Sequence, residues 1–416
     1  MISKEFTMST NLISIPTLVQ SPFIIAKIGD VTFGTYTQGQ HNNKVTYPNF
    51  MKSISMAKVN GTINTYTLQF EYQVRTGEDP NLLDKIFSKA VKDRRIVLQY
   101  GDWNSPSYIY KEEQAIITDV RTQLNMSTSS IVYTVNCTSD AIGLTSTTFN
   151  FPSRDAKPSD ILMELLNNAR YGLKSVFTGM QSNHNVLVNN LIASNDQKVK
   201  LLAQTGMTTL GYINYLVASM TPQNNDNAPT SGKSQYMLSM HDDYTNEVGG
   251  TYFKVTELST NTTSKNDADT YVLDVNFPSE NFITNLSINN DQSWAILYQY
   301  DEAVNQEQYT YSIDDSGRLV TSYAPSIGRS QFTNKTSVTN KQWWTKMTSF
   351  PIEAVVTIKG LARPSILMTH VRLNVWFSGG QKHISSGLYV ITKQFDEIDS
   401  SGYRTTLTLT RVGGDE

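Results

Sequence analysis

The sequence predicts a mainly β protein with a helical insert (α+β), in which two antiparallel β-barrel modules flank the helices. Three observations carry this reading. Strict period-two alternation occurs near both ends of the chain, as in Tyr66, Leu68, Phe70, Tyr72 and Val74 or Val371, Leu373, Val375 and Phe377. Apolar residues between 145 and 222 change to helical spacing. A weak repeat relates the ends: without gaps, Ile117-Thr118 falls on Ile391-Thr392, Leu124-Asn125 on Ile398-Asp399, and Thr134-Val135 on Thr408-Leu409.

Residues 1–22 show no period and are expected to form an arm. The first strands are expected over Phe23 to Tyr36, broken at Gly29-Asp30. The alternating run from Tyr66 to Val74 pairs with Met51 to Val59 through a turn that begins at Asn60-Gly61 and leaves the register open. Asp79 is a good N-cap, and Pro80 at the first helical position forgoes an N–H that would have no partner there. Leu82, Leu83, Ile86, Phe87 and Ala90 then form one apolar stripe. Strands resume at Arg94 to Tyr100, and Gln114 to Thr122 with Ser130 to Asn136 makes a further hairpin.

Helices are predicted after Pro158, with Ile161, Leu162, Leu165, Leu166, Ala169, Leu173, Val176 and Phe177 on one stripe, and after Thr208 as N-cap, with Leu210, Ile213, Leu216, Val217 and Met220. A shorter helix is expected over Lys198 to Gln204, stopped by Gly206. Thr221 to Ser234 and Ser259 to Thr270 are polar loops; between them lie expected strands at Tyr236 to Met240 and Tyr252 to Leu258. Tyr271 to Tyr300 opens the second β set. Tyr309 to Ile313 and Leu319 to Tyr323 read as a hairpin, and Ala324 to Asn340 as loop. From Phe350 to Arg411 four antiparallel strands follow, the last two joined through Asp399-Ser400-Ser401-Gly402. The expected division is a first barrel with one helix over 1–144, a helical insert with linking strands over 145–270, and a second barrel over 271–416 with an insertion at about 301–350.

With 17% charged residues and a net charge of -3, the chain lacks the basic surface of a dedicated nucleic-acid binder. Cys137 is the only cysteine, which excludes an intrachain disulfide and a cysteine-based zinc site and suits a small buried apolar role. No run reaches membrane-spanning length and the N-terminus lacks a continuous apolar signal region, so a soluble protein made in a cytoplasm is expected. The abundance of Asn, Thr, Ser, Gln and Tyr suits a neutral polar surface that packs against copies of itself.

The run from Ser386 to Arg411, with Ile358 to Gly379 before it, resembles the closing part of baseplate hub proteins of contractile-tailed bacteriophages and related spike-complex proteins. The resemblance implies tube-like barrels and a virion location in the tail baseplate. It implies a structural, non-enzymatic hub: a homotrimer joining a sixfold tail tube to a threefold central spike, with other baseplate proteins around it and DNA only in transit. The sequence ends at Gly413-Gly414-Asp415-Glu416 without a lysozyme domain or needle, so the tip is expected to be a separate spike or tip protein.

No constellation carries chemistry convincingly, and neither catalytic, cofactor-binding nor metal residues are assigned. Ser231-Gly232-Lys233-Ser234 ends like a phosphate-binding loop, yet Asn227 stands where the first glycine is needed. His241-Asp242-Asp243 offers metal-ligating atoms, but neighbours in a strand or turn diverge. The same holds for Glu112-Glu113, expected at a strand edge. His41, His184, His370 and His383 are scattered. The pair Trp343-Trp344, with Trp294 and Trp103, suits packing or a subunit contact, or else glycan stacking in a carbohydrate-binding tail protein. A cell-wall hydrolase is the remaining alternative and has no motif.

Overall fold

The computed structural model describes residues 22–29, 31–34, 50–87, 95–102, 110–146, 148–167, 186–188, 198–201, 203–220, 234–243, 250–259, 270–276, 283–290, 309–313, 319–323, 352–361, 366–377 and 379–414. The first β set comprises β1 (Pro22–Ile28), β2 (Val31–Gly34), β3 (Met51–Val59), β4 (Thr65–Gln73), α1 (Leu82–Phe87), β5 (Arg95–Asp102), β6 (Tyr110–Asn125) and β7 (Ser130–Thr138). Alternation settles its inward face: Tyr66, Leu68, Phe70 and Tyr72 of β4 are buried together with Ile96, Leu98 and Tyr100 of β5. α1 begins at Leu82, not at the expected Pro80: Asp79 accepts from the Asn81 N–H at 2.9 Å in the turn before it, the Lys85 N–H donates to the Asn81 carbonyl at 3.1 Å, and Leu83 and Phe87 reach the core while Leu82 faces out. Ala90, the end of the expected stripe, lies outside the described residues.

The insert contains α2 (Gly143–Ser146), β8 (Thr148–Phe151), β9 (Arg154–Ala156), α3 (Pro158–Asn167), β10 (Val186–Val188), β11 (Val199–Leu201), β12 (Gln204–Thr208), α4 (Thr209–Ser219), β13 (Ser234–Asp243) and β14 (Gly250–Ser259). Thr208 caps α4 as expected, its hydroxyl accepting from the Gly211 N–H at 3.0 Å. The helix expected over Lys198 to Gln204 is absent. Val199–Leu201 pairs with Arg154–Ala156 instead, and Gln204–Thr208 with Thr148–Phe151. The sequence Val-Lys-Leu satisfies a period of two as well as a helical one, and pairing with β9 buries Leu201, which decides between them. Phe151 then stacks on Tyr212 of α4 at 3.7 Å between ring centres, within a core that draws on α2, α3 and α4 and on β13 and β14.

The second β set runs β15 (Thr270–Asn276), β16 (Ile283–Asn290), β17 (Tyr309–Ile313), β18 (Leu319–Tyr323), β19 (Ile352–Lys359), β20 (His370–Phe377), β21 (Gln381–Lys382), β22 (Gly387–Asp399) and β23 (Gly402–Gly414). Its strand order β20–β22–β23–β19–β16 repeats the order β5–β6–β7–β4–β3 of the first set. Irregularities recur at matching places. β3 bulges against β4 between Met51 and Ser53, and β16 against β19 between Ile283 and Asn285. β6 bulges at Thr118 and β22 at Thr392. Each bulged threonine hydroxyl donates to a carbonyl of the partner strand, Thr118 to Asn136 at 3.0 Å and Thr392 to Thr408 at 3.2 Å.

These matches correct part of the ungapped repeat. Ile117-Thr118 does fall on Ile391-Thr392, but Asn136, not Thr134, corresponds to Thr408. The β6–β7 turn holds four residues, Met126 to Ser129, where the β22–β23 turn holds two, Ser400 and Ser401. Two further departures concern the sheet. β15 pairs with β20 in parallel, whereas β1 and β5 are antiparallel. And the two sets, apart from the separate β17–β18 hairpin, form one continuous sheet, because β22 pairs with β3 over Lys393 to Ile398.

Gly360, just after β19, permits a close approach. Its N–H donates to the Tyr403 carbonyl at 2.8 Å, and a Cβ there would lie 2.0 Å from Cγ of the Tyr403 ring. Gly360→Ala is therefore expected to lower unfolding stability by at least ~1–3 kcal/mol in urea titrations. Recovery of part of the loss in Gly360→Ala/Tyr403→Leu would locate the clash; an unchanged stability in the single variant would show that the ring is free to move.

Candidate functional site: a hairpin shared by two cores

The long β22–β23 hairpin belongs to both β sets at once. Near its base, Tyr389, Ile391, Leu407 and Leu409 pack in the second core with Val356, Ile358 and Leu373. Toward its tip, Ile398 and Tyr403 enter the first core beside Met56, Leu68 and Leu98. The chain therefore completes its first hydrophobic core with residues nearly at its C-terminus.

Polar groups fill the seam between these halves. Lys58 lies in the inward phase of β3, after Ile54 and Met56, and is fully buried. Glu113 lies in the inward phase of β6, before Ala115 and Ile117, and is also fully buried. Their side chains form an ion pair. Two tyrosine hydroxyls complete the shell of Glu113, Tyr66 donating at 2.6 Å and Tyr100 at 2.5 Å. On the hairpin side Asp396 accepts from Thr405 at 2.6 Å, from Tyr403 at 3.2 Å and from Gln394 at 2.8 Å. Gln394 and Thr405 in turn accept the N–H groups of Ile366 and Leu361 at 3.0 and 3.1 Å. The network ties β3, β4, β5 and β6 to β22, β23 and the segment after β19.

Burial pushes the Asp396 carboxyl above the usual carboxylate range, against the opposing pull of Lys58, Thr405 and Gln394. Burial likewise holds the Tyr100 hydroxyl well above its ordinary value, with Glu113 adding to the effect. These groups have no access to solvent, so the arrangement can position strands but cannot meet a substrate. A second junction sits at the β3–β4 turn. Asn60 donates its N–H to Thr392 O of β22 at 3.1 Å, and Gly61 to Leu238 O of β13 at 2.8 Å. Asn214 of α4 donates to Gly61 O at 2.6 Å. One turn thus gathers both β sets and the insert.

The residues weighed for chemistry are not brought together. Glu113 pairs with Leu98 of β5, β7 meets β6 only from Ile116 onward, and the Glu113 side chain is turned into the core. His241 is buried on β13, with Nε2 2.9 Å from the Ser239 hydroxyl. Nδ1 of His383 lies 2.6 Å from the Ser385 hydroxyl. Among the described residues, no group of three or more His, Cys, Asp or Glu is placed to hold a metal. Cys137 is buried and burial pushes its thiol up, so its reactive thiolate is suppressed. Trp103, Trp294, Trp343, Trp344, His41, His184, Asn227 and Ser231 to Lys233 lie outside the described residues. Among those described, no helix is long and apolar enough to cross a membrane.

Sequence reading missed Lys58 and Asp396. The available signal was a charged residue occupying the inward phase of an alternating strand: Lys58 in step with Met56, and Asp396 in step with Ile398.

The fold defines a class, a mainly β protein with a duplicated strand set and a helical insert. Neither a protein-family model nor a curated protein matches the sequence. Among solved structures, the chain is similar to the 43 kDa tail protein of prophage MuSo2 from Shewanella oneidensis, at 10% identity and a TM-score of 0.49, over 94% of this chain and 99% of that one. It is similar to the tail protein from Neisseria meningitidis MC58, at 8% identity and a TM-score of 0.47, over 94% and 96%. It is also similar to a component of the E. coli type VI secretion system, itself described as similar to T4 bacteriophage tail proteins, at 10% identity and a TM-score of 0.41, over 88% and 76%.

The shared seam generates two expectations. Lys58→Met leaves Glu113 buried without its cation and is expected to lose about 3–5 kcal/mol of unfolding free energy, with partial recovery in Lys58→Met/Glu113→Gln. A loss no greater than that of an exposed lysine would show that the pair is not buried in solution. For Asp396 the raised folded-state value means that the native state holds its proton more tightly than the unfolded chain. That stabilisation is complete below the unfolded carboxylate value and fades as pH rises through the folded one. The stability difference between Asp396→Asn and the natural protein should thus shift in favour of the variant from about pH 4 upward, as read from urea titrations at each pH; a difference falling over that interval contradicts the assignment.

Proposed function

We propose that this protein is the structural hub of a phage tail baseplate, a homotrimer that joins a sixfold tail tube to a threefold central spike and leaves a channel for genome passage. The observation that carries the reading is the duplication: the same five-strand order, with bulges at matching positions, occurs twice in one chain. A chain that displays one unit twice can offer six such units from three copies, which resolves a mismatch between sixfold and threefold neighbours. The resemblance of Ser386 to Arg411 to the closing part of baseplate hub proteins points the same way. So does a composition rich in Asn, Thr, Ser, Gln and Tyr, which suits packing against other subunits.

In this reading 1–144 and 271–416 are the two tube-like modules, and 145–270 is the insert facing the spike. The partners are the tail tube protein above, a separate spike or tip protein below, and other baseplate proteins around; DNA passes only in transit. The role is structural and not enzymatic, and the place is the virion tail. Light scattering on the purified protein is expected to give three times the chain mass, and images of intact particles to place the chain at the distal end of the tail tube. A strictly monomeric protein absent from that position would overturn the proposal.

A further inference from the structure

We infer that copies of this chain join edge to edge, the outer half of β6 in one copy pairing antiparallel with β16 of the next. This deepens the hub reading and rests on it for the number of copies, but the chain's own internal pairing supplies the template. Within the chain, the outer half of β22 pairs with β3: Phe395 with Ala57, Asp396 with Met56, Glu397 with Ser55, and Ile398 with Ile54. By the matched bulges, those β22 residues correspond to Arg121, Thr122, Gln123 and Leu124 of β6. The β3 residues correspond to Asn289, Ile288, Ser287 and Leu286 of β16.

Both corresponding edges are open among the described residues. β5 pairs with β6 only as far as Ile116, leaving the outer half of β6 with β7 alone. β16 pairs with β19 on one side and ends the sheet on the other. The side chains fit the same conclusion. Ile398 and Ile54, opposite one another in the internal seam, are 1% and 0% exposed. Their counterpart Leu124 is 61% exposed, and Met126 at the same hairpin tip is 87% exposed. Leu286 and Ile288 are only partly buried against the second core. In the first set, the equivalent flank is covered by a hairpin tip from the other set. Among the described residues, the second set lacks that cover within its own chain, and nothing lies against the β6–β7 tip.

The occupant is therefore a second copy of this chain, bound head to tail. Such a contact uses different surfaces on its two sides and propagates until a ring closes. If the contact between copies repeats the internal one, every β set in the ring meets its neighbour in the same way. The expected register places Arg121 opposite Asn289, Thr122 opposite Ile288, Gln123 opposite Ser287 and Leu124 opposite Leu286. Unpaired edges of this kind invite nonspecific association, and ring closure is what removes them.

The test uses Leu124→Cys and Leu286→Cys, because directly opposed residues in antiparallel strands lie within disulfide reach and the native Cys137 is buried. Under mild oxidation, disulfide-linked dimers are expected when the two single variants are mixed, and covalent closure of the ring in the double variant. Neither single variant should cross-link alone. Light scattering before oxidation reads the assembly independently. A trimer that gives no Leu124–Leu286 cross-link overturns this seam and leaves the hub reading standing. A monomer at every concentration overturns both, and cross-linking within one single variant replaces the head-to-tail contact by a twofold one. Leu124→Lys, at a side chain already exposed, is expected to weaken association at least tenfold with an unchanged circular dichroism spectrum; unaltered association would also overturn the seam.

Discussion

The architecture depends on the pairing of β22 with β3, and that pairing depends on charges buried behind it. Six residues of ladder, Lys393 to Ile398 against Val59 to Ile54, join what would otherwise be two separate sheets. Behind the ladder lie Lys58, Glu113 and Asp396, fully buried, with tyrosine, threonine and glutamine donors completing their shells. A buried ion pair recovers its desolvation only when its geometry is good and its remaining hydrogen bonds are made. The Lys58–Glu113 pair meets both conditions only when β3, β4, β5 and β6 stand at their native spacing, and Asp396 joins them only when the hairpin is in place. The network therefore contributes geometry more than net stability. It leaves the relative setting of the two β sets little freedom.

Much of the scaffold was legible from residue order. The alternation in β4 and β20, the Asp79 turn before α1, the Thr208 cap of α4 and the Gly-containing turn before β23 are local signals, and local hydrogen bonding realises them. Val199 to Leu201 misled because three residues cannot distinguish periods, and the choice was made by distant Arg154–Ala156. The parallel pairing of β15 with β20 was equally invisible, since strand direction is set by topology. The repeat could be glimpsed, but its last pair was misaligned, because two extra residues in the β6–β7 turn shift everything after it. Lys58 and Asp396 were passed over for a simpler reason: charged residues are usually exposed, and their partners are far apart in the chain.

The two β sets diverge most where this network lies. The counterpart of Lys58 in the second set is Asn290; that of Tyr66 is Ala354, that of Glu113 is Gly387, and that of Asp396 in the first set is Thr122. Backbone register and bulges are shared, whereas the charged groups occur only at the internal seam. Duplicated hairpins create an ambiguity, because the β22–β23 tip could add to β16 of another copy and the β6–β7 tip could reach β3. Placing Asp396 over the second core would bury a carboxylate away from Lys58, and placing Thr122 over the first would leave Lys58 and Glu113 without the carboxylate and its donors. Each wrong pairing leaves buried polar groups poorly compensated, and that penalty discriminates more sharply than one extra hydrophobic contact. Asp396 thus ties its own hairpin to Lys58 within the chain, whereas Thr122, at the corresponding position of the β6–β7 hairpin, carries no such demand.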